Sequence, residues 1–243
     1  MLSEKQHLTY AKPQPLDEGV EVNYPLPSSF IMGIIGPPGS GKSWIISELL
    51  RQDGMYRKKF DAVFFIAPTV IHGLEMHLGE NWCQFMNQSW IEDILRVIGN
   101  KIAEYRKTWT GEEGQTFPKF NILFIFDDVL QYFSLGKPDV FLSQLFNNRR
   151  NICNGAILSF IVTGQKIKGF YPLWLRVITT DWIFFKMLNK EIDTIMDELL
   201  DTSNKMKRLS RRMIFDLYFK DKFDFLFLSK NGEVFINFHK LII

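Results

Sequence analysis

Five short stretches of this chain are apolar almost throughout: FIMGIIG, DAVFFIAPT, NILFIFDD, AILSFIVTGQ and TTDWIFFKM. Short continuous runs of this kind suit strands buried on both faces of a parallel sheet. Between them the spacing changes to that of helices. Trp44, Ile45, Ile46, Leu49 and Leu50 give one buried helical face, and residues 89–109 repeat it at Ile91, Ile94, Leu95, Ile98, Ile102 and Tyr105. A further helix is expected over residues 139–149. Strand and helix alternate, which predicts an α/β fold with a mainly parallel central sheet flanked by helices.

The two ends read differently. Pro13, Pro15, Pro25 and Pro27 fall among polar residues, so residues 1–28 are expected to form an extended arm. Residues 29–189 carry the alternating core. Residues 190–243 belong to the same domain: a helical segment over 190–212, acidic early and basic late, then FDFLFLSKNGEVFINF. That last string predicts a β-hairpin turning at Asn231-Gly232.

Composition narrows the possibilities. The chain has 243 residues, 46% of them hydrophobic, with 23 Phe and 6 Trp, enough for one sizeable domain with a large core. Net charge is +2, from 29 basic and 27 acidic residues, so nothing global marks a nucleic-acid binder. Contact with DNA would need a local basic patch or one assembled from several subunits. Cys83 and Cys153 match no metal spacing and are expected to be free, buried thiols in a reducing compartment. There is no apolar leader at the start and no run near the length that spans a bilayer, which predicts a soluble protein, intracellular or carried inside a particle.

Function enters with GPPGSGKS. The spacing Gly36-x-x-x-x-Gly41-Lys42-Ser43 matches a phosphate-binding loop between a buried strand and an amphipathic helix. Over Gly36, Pro37, Pro38, Gly39, Ser40 and Gly41, backbone N–H groups can point inward around phosphates. The next helix aims its positive end at the same point. Lys42 is expected to reach the β- and γ-phosphates, and Ser43 to bind Mg²⁺.

Hydrolysis also needs an acid on the metal and a group to activate water. Asp127 and Asp128 end the strand ILFIF. Asp127 is expected to be the metal-side acid, acting through Ser43 and water; Asp128 is expected to polarise the attacking water, the alternative being that it merely caps the next segment. A GTPase would carry Asp-x-x-Gly here, whereas this chain reads Asp127-Asp128-Val129-Leu130. Asn189-Lys190-Glu191-Ile192 also lacks the aspartate of a guanine-reading motif.

AILSFIVTGQ ends in Thr163 and Gln165. If that strand lies between the phosphate-loop strand and the acid strand, Gln165 faces the γ-phosphate and can report hydrolysis. The alternative is a solvated glutamine at the sheet edge. Arg149 and Arg176 are candidates to neutralise transition-state charge, in particular on a neighbouring subunit's nucleotide. Each could equally be an ordinary surface arginine. Lys205, Lys207, Arg208, Arg211 and Arg212 form a late basic cluster that suits either a solvated helix end or a phosphate-tracking channel.

Taken in order, these pieces resemble the viral genome-packaging ATPases of the poxvirus type, within the FtsK/HerA lineage of P-loop motors. GPPGSGKS and ILFIFDDV stand for motifs shared by many ATPases. LFNNRRNICNGAILSFIVTGQ and YPLWLRVITTDWIFFK are the more specific blocks. The resemblance spans about residues 30–186. Arg149 matches the family's arginine, while Arg150 stands where the family often has histidine. The likeness implies a P-loop NTPase fold, ATP and Mg²⁺, and a homo-oligomeric ring of five or six subunits. It also implies double-stranded DNA and capsid vertex proteins as partners, and a place in the virion or the host-cell cytoplasm. A replication helicase or loader, and a nucleotide-dependent switch or scaffold, are the competing readings.

Overall fold

The computed structural model describes residues 29–50, 59–69, 81–111, 116–138, 140–195 and 219–240. The strands in chain order are β1 Ile31–Ile35, β2 Ala62–Ile66, β3 Trp82–Cys83, β4 Asn121–Phe126, β5 Ile157–Gly164 and β6 Asp181–Phe185. Then come β7 Phe225–Leu228, β8 Val234–Ile236 and β9 His239–Lys240. They form one nine-stranded sheet in the order β3-β2-β4-β5-β1-β6-β7-β8-β9. All pairings from β3 to β6 are parallel, and those from β6 to β9 are antiparallel. The five apolar runs are thus the five central parallel strands. The C-terminal hairpin extends the same sheet. At its turn Gly232 adopts φ +75° and donates its N–H to Ser229 O at 2.9 Å, a conformation that glycine meets without a Cβ penalty.

Five helices accompany the sheet among the described residues: α1 Lys42–Leu50, α2 Gln88–Thr108, α3 Val140–Asn147, α4 Leu173–Ile178 and α5 Asn189–Ile195. Asn87 caps α2 by accepting the Trp90 N–H at 3.1 Å. The sequence pattern does not predict α4 or β3. In LWLRVI apolar side chains point all round the turn, and two-residue β3 is too short to show a period.

Alternation along each central strand divides the core. Met32, Ile34, Leu123, Ile125 and Ile161 meet Ile45, Ile46 and Leu49 of α1 on one face. Ile31, Phe124, Phe126, Phe160 and Val162 meet α2, α3 and α4 on the other, through Ile91, Leu95, Leu145, Phe146 and Leu175. Helices therefore cover both faces, as the alternating pattern requires. One strand position is set by close approach: a Cβ on Gly33 would lie 2.4 Å from Trp182 Cε3.

Cys83 and Cys153 are both free. They are half-buried rather than buried, because Cys83 sits on the edge strand and Cys153 in a turn with φ +52°. Burial pushes the Cys153 thiol up to about 11. The N-terminal arm, most of the segment 190–212 and the basic cluster Lys205, Lys207, Arg208, Arg211 and Arg212 lie outside the described residues. Among the described residues no helix is long and apolar enough to cross a membrane.

Candidate active site

The sheet order brings the candidate residues together. β5 lies between β1, which leads into the phosphate loop, and β4, which leads into the two acids. The loop is anchored to this strand, since Gly36 N–H donates to Gly164 O at 3.0 Å. Gly39 (φ +72°) and Gly41 (φ +108°) take left-handed backbone conformations that other residues rarely adopt. Pro37, Pro38 and Gly39 face solvent, while Ser40 and Lys42 are buried. Ser40 Oγ has no hydrogen-bond partner among the described residues.

Lys42 Nζ donates to Gly36 O at 2.8 Å and to Pro37 O at 3.2 Å. Its ammonium therefore lies within the curve of the loop, held by two backbone carbonyl oxygens. Burial lowers the Lys42 pKa from the ordinary lysine value, and the charges of Asp128 and Asp127 oppose that shift.

The acids are arranged asymmetrically. Register pairs Phe126 with Val162, so Asp127 falls beside Thr163, and both point to the α1 face. Thr163 Oγ1 donates to Asp127 Oδ1 at 2.6 Å, and Ser43 Oγ donates to Asp127 Oδ2 at 3.2 Å. Each carboxylate oxygen thus receives one hydroxyl. Burial pushes the Asp127 carboxyl up from the ordinary range; the Thr163 and Ser43 hydrogen bonds and the Lys42 charge pull it back, and Asp128 adds to the rise.

Asp128 is exposed and sits at φ +53°. That conformation costs a non-glycine residue about 1–3 kcal/mol and tends to occur at functional sites. Its N–H donates to Thr163 Oγ1 at 3.0 Å, so one hydroxyl links both acids. The turn that follows, Leu130–Tyr132, has Val129 at its N-cap and no side-chain cap. The capping alternative for Asp128 therefore fails.

Gln165 is exposed at the first position beyond β5, next to the Gly36 anchor. It stands at the loop-and-acid edge, on the strand between them. Arg149 does not join this group in its own chain. Its carbonyl accepts the Leu158 N–H at 2.8 Å, at the opposite end of β5, about 20 Å away at strand rise. Its guanidinium is half-buried and donates to Phe146 O at 3.1 Å. Burial and the neighbouring Arg150 lower its pKa from the ordinary value. Arg176 is half-buried on α4, between the exposed side chains of Leu173 and Val177.

No protein-family model matches the sequence, and no curated protein matches it. Solved structures do match. The DNA-packaging ATPase B204 from Sulfolobus Turreted Icosahedral Virus superposes with a TM-score of 0.54 at 15% identity, over 89% of this chain and 99% of that one. The genome packaging NTPase B204 from Sulfolobus turreted icosahedral virus 2, in complex with ATP-gammaS, gives 0.52 at 16% identity, over 90% and 100%. Its sulfate complex gives 0.51 at 16%, over 90% and 99%. The fold is that of a P-loop NTPase, shared with viral genome-packaging ATPases. The match extends over nearly the whole of each neighbour.

Two features escape sequence reasoning. Thr163 reads as the polar end of an apolar strand, and its link to both acids appears only once β4 and β5 pair. The other is aromatic. A Cβ on Gly41 would lie 3.3 Å from Phe185 Cε1 and 3.3 Å from Phe223 Cδ1. Phe185 ends β6, and Phe223 comes from far along the chain.

Proposed function

We propose that this protein is an ATP-driven double-stranded DNA translocase that packages a viral genome into a preformed capsid. The observation that carries the reading is the placement of β5 between the phosphate-loop strand and the acid strand, with Thr163 bonded to Asp127 and Asp128. That order supports reading a third polar strand end, and Gln165, as the groups beside the γ-phosphate and its attacking water. The described neighbours with this fold are named as genome-packaging and DNA-packaging enzymes, which supports the choice of DNA as the substrate moved.

Each residue has a part. Backbone N–H groups over Gly36–Gly41 hold the phosphates, and Lys42 neutralises their charge. Ser43 Oγ and Asp127 Oδ2, 3.2 Å apart, are hard oxygen donors of the type magnesium takes, and a phosphate-bound Mg²⁺ needs only one or two from the protein. When bound, Mg²⁺ offsets charge on the β- and γ-oxygens. Asp128, exposed beside that pair, accepts a proton from the attacking water. Gln165 orients that water and passes the loss of γ-phosphate along β5. Arg149 sits too far from its own chain's loop to act there, so it serves a neighbouring subunit in a homo-oligomeric ring; Arg176 is the second candidate for that task. Translocation must accept every sequence, so DNA is gripped by its phosphates rather than its bases.

The test is ATP hydrolysis by the full chain with and without blunt duplex DNA, for wild type, Lys42→Ala and Asp128→Asn. Duplex DNA should stimulate the wild type, and both variants should lose turnover by at least about 100-fold, the usual scale for a general base at Asp128 and for an electrostatic stabiliser at Lys42. Stimulation by single strands or forks alone would favour a helicase. An assembled protein whose slow hydrolysis ignores DNA would favour a switch or scaffold.

A further inference from the structure

Two stretches of chain leave the edge of the sheet where the acids and the phosphate loop meet. One, residues 129–138, follows Asp128 off β4. The other, residues 165–172, starts with Gln165 off β5 and leads into α4. They are fastened to each other. Trp174 Nε1 donates to Ser134 O at 2.9 Å, and the Trp174 ring stacks on Phe133 with centroids 6.1 Å apart. Each stretch also folds into a turn of its own, since Phe133 N–H donates to Leu130 O at 3.0 Å and Tyr171 N–H to Ile167 O at 3.1 Å. Phe133, Ile167 and Tyr171 are buried and anchor the turns to the core.

What the turns hold outward is basic. Residues 129–138 and 165–180 contain Lys137, Lys166, Lys168 and Arg176 and neither Asp nor Glu. A chain whose net charge is only +2 thus gathers a local surplus beside its candidate active site. The flanking acids along the chain are Asp128, in the site itself, Asp139 and Asp181. The three lysines are exposed, and none makes an ion pair among the described residues. Lys166 Nζ stands 5.9 Å from the centroid of the Phe170 ring, itself 50% exposed, so its charge meets an aromatic face rather than a carboxylate. Between these side chains the backbone is bare. A Cβ on Gly136 or Gly169 would meet nothing within 4 Å, so a polyanion can come close to the main chain there.

We infer that this face grips duplex DNA by its phosphates, with Lys137, Lys166 and Lys168 as the contacts. This rests on the reading of the protein as a DNA translocase. Lysine acts as a flexible point charge, so such a grip reads no bases and accepts every sequence. It also lies where hydrolysis can move it, because Lys166 directly follows Gln165 and the other turn directly follows Asp128.

Duplex binding by fluorescence anisotropy over a range of salt tests this on the full chain, with two blunt duplexes of unrelated sequence and with Mg·ATP as the control ligand. Lys137→Gln, Lys166→Gln and Lys168→Gln together remove the charges; the matching triple arginine variant keeps them. The logarithm of duplex affinity falls with the logarithm of salt by about 0.9 for each phosphate neutralised. The glutamine variant should therefore lose about 2 to 3 from that slope, equally on both duplexes, and bind Mg·ATP as the wild type does. The arginine variant should keep the wild-type slope. A glutamine variant with wild-type duplex affinity and slope overturns the assignment; if that variant also loses its assembly on size-exclusion chromatography, the face joins copies of the chain instead. An equal loss of duplex and Mg·ATP binding overturns it too, since the lysines would then serve the nucleotide. A wild type that binds neither duplex overturns the translocase reading itself, a result distinct from wild-type binding that ignores the lysines.

Discussion

Thr163 offers the sharpest test of how the two acids are held. Its side chain is fully buried. Its hydroxyl donates to Asp127 at 2.6 Å and accepts the Asp128 N–H at 3.0 Å. Thr163→Val keeps the shape and deletes the oxygen. The bond to a carboxylate is worth about 1.5–3 kcal/mol, and stranding the partly buried Asp128 N–H costs about 1 kcal/mol more. The expected destabilisation is therefore about 3 kcal/mol, a large part of a domain's usual margin. Thr163→Ser restores the hydroxyl and should recover most of it. Urea denaturation of the three proteins measures the stability. Steady-state hydrolysis measures whether turnover falls with the valine and returns with the serine, at little change in KM. A valine variant within about 0.5 kcal/mol of wild type, the scale of a neutral surface change, would refute the bridging account. Equal turnover in valine and serine proteins would refute its part in chemistry.

Gly33→Ala would drive a Cβ to 2.4 Å from Trp182, and overpacking of that kind should lower stability by about 1–3 kcal/mol in denaturant titration; Gly33→Ala together with Trp182→Phe should recover part of it. Asp181 is buried, accepting the Thr180 hydroxyl at 2.5 Å and the Lys230 N–H at 3.2 Å, and burial raises its pKa. The folded state therefore binds the Asp181 proton more tightly than the unfolded state, so stability falls as pH rises from the ordinary carboxylate value through the raised one. Asp181→Asn lacks that step, and its unfolding free energy relative to wild type should climb over the same window. Mixing Arg149→Ala or Arg176→Ala subunits with Lys42→Ala subunits should restore part of the hydrolysis if either arginine serves a neighbour; assembled mixtures that stay inactive for both arginines would exclude trans action.

Much of the fold is legible before any coordinates. FIMGIIG, NILFIFDD and AILSFIVTGQ are apolar on both faces because each strand is covered on both sides, and that burial leaves no choice of residue type. GPPGSGKS is legible because a phosphate cradle needs glycines at fixed offsets within one turn of chain. Asp127 and Asp128 are legible because two acids at the end of a buried strand call for a cation or a reaction. All of these are local requirements, written in adjacent residues.

Other properties depend on which strand lies beside which. The place of β5 between β1 and β4 turns Thr163 from a strand end into the hydroxyl that joins both acids, and Gln165 into a neighbour of the phosphate loop. Strand order brings together residues separated by 36 positions in the Thr163–Asp127 bond, and no local pattern records such a pairing. The same holds for Arg149, which sequence alone leaves free to act anywhere and which the sheet sets at the end remote from its own loop. Phe223 is the extreme case. In the sequence it is one of 23 phenylalanines, suited to any core. Only the antiparallel return of the chain against β6, and the turn closed by Asp224, put its ring beside Gly41. Chain chemistry thus determines the cradle and its acids. Tertiary structure decides what surrounds them, because strand pairing and packing act between residues that the sequence keeps far apart.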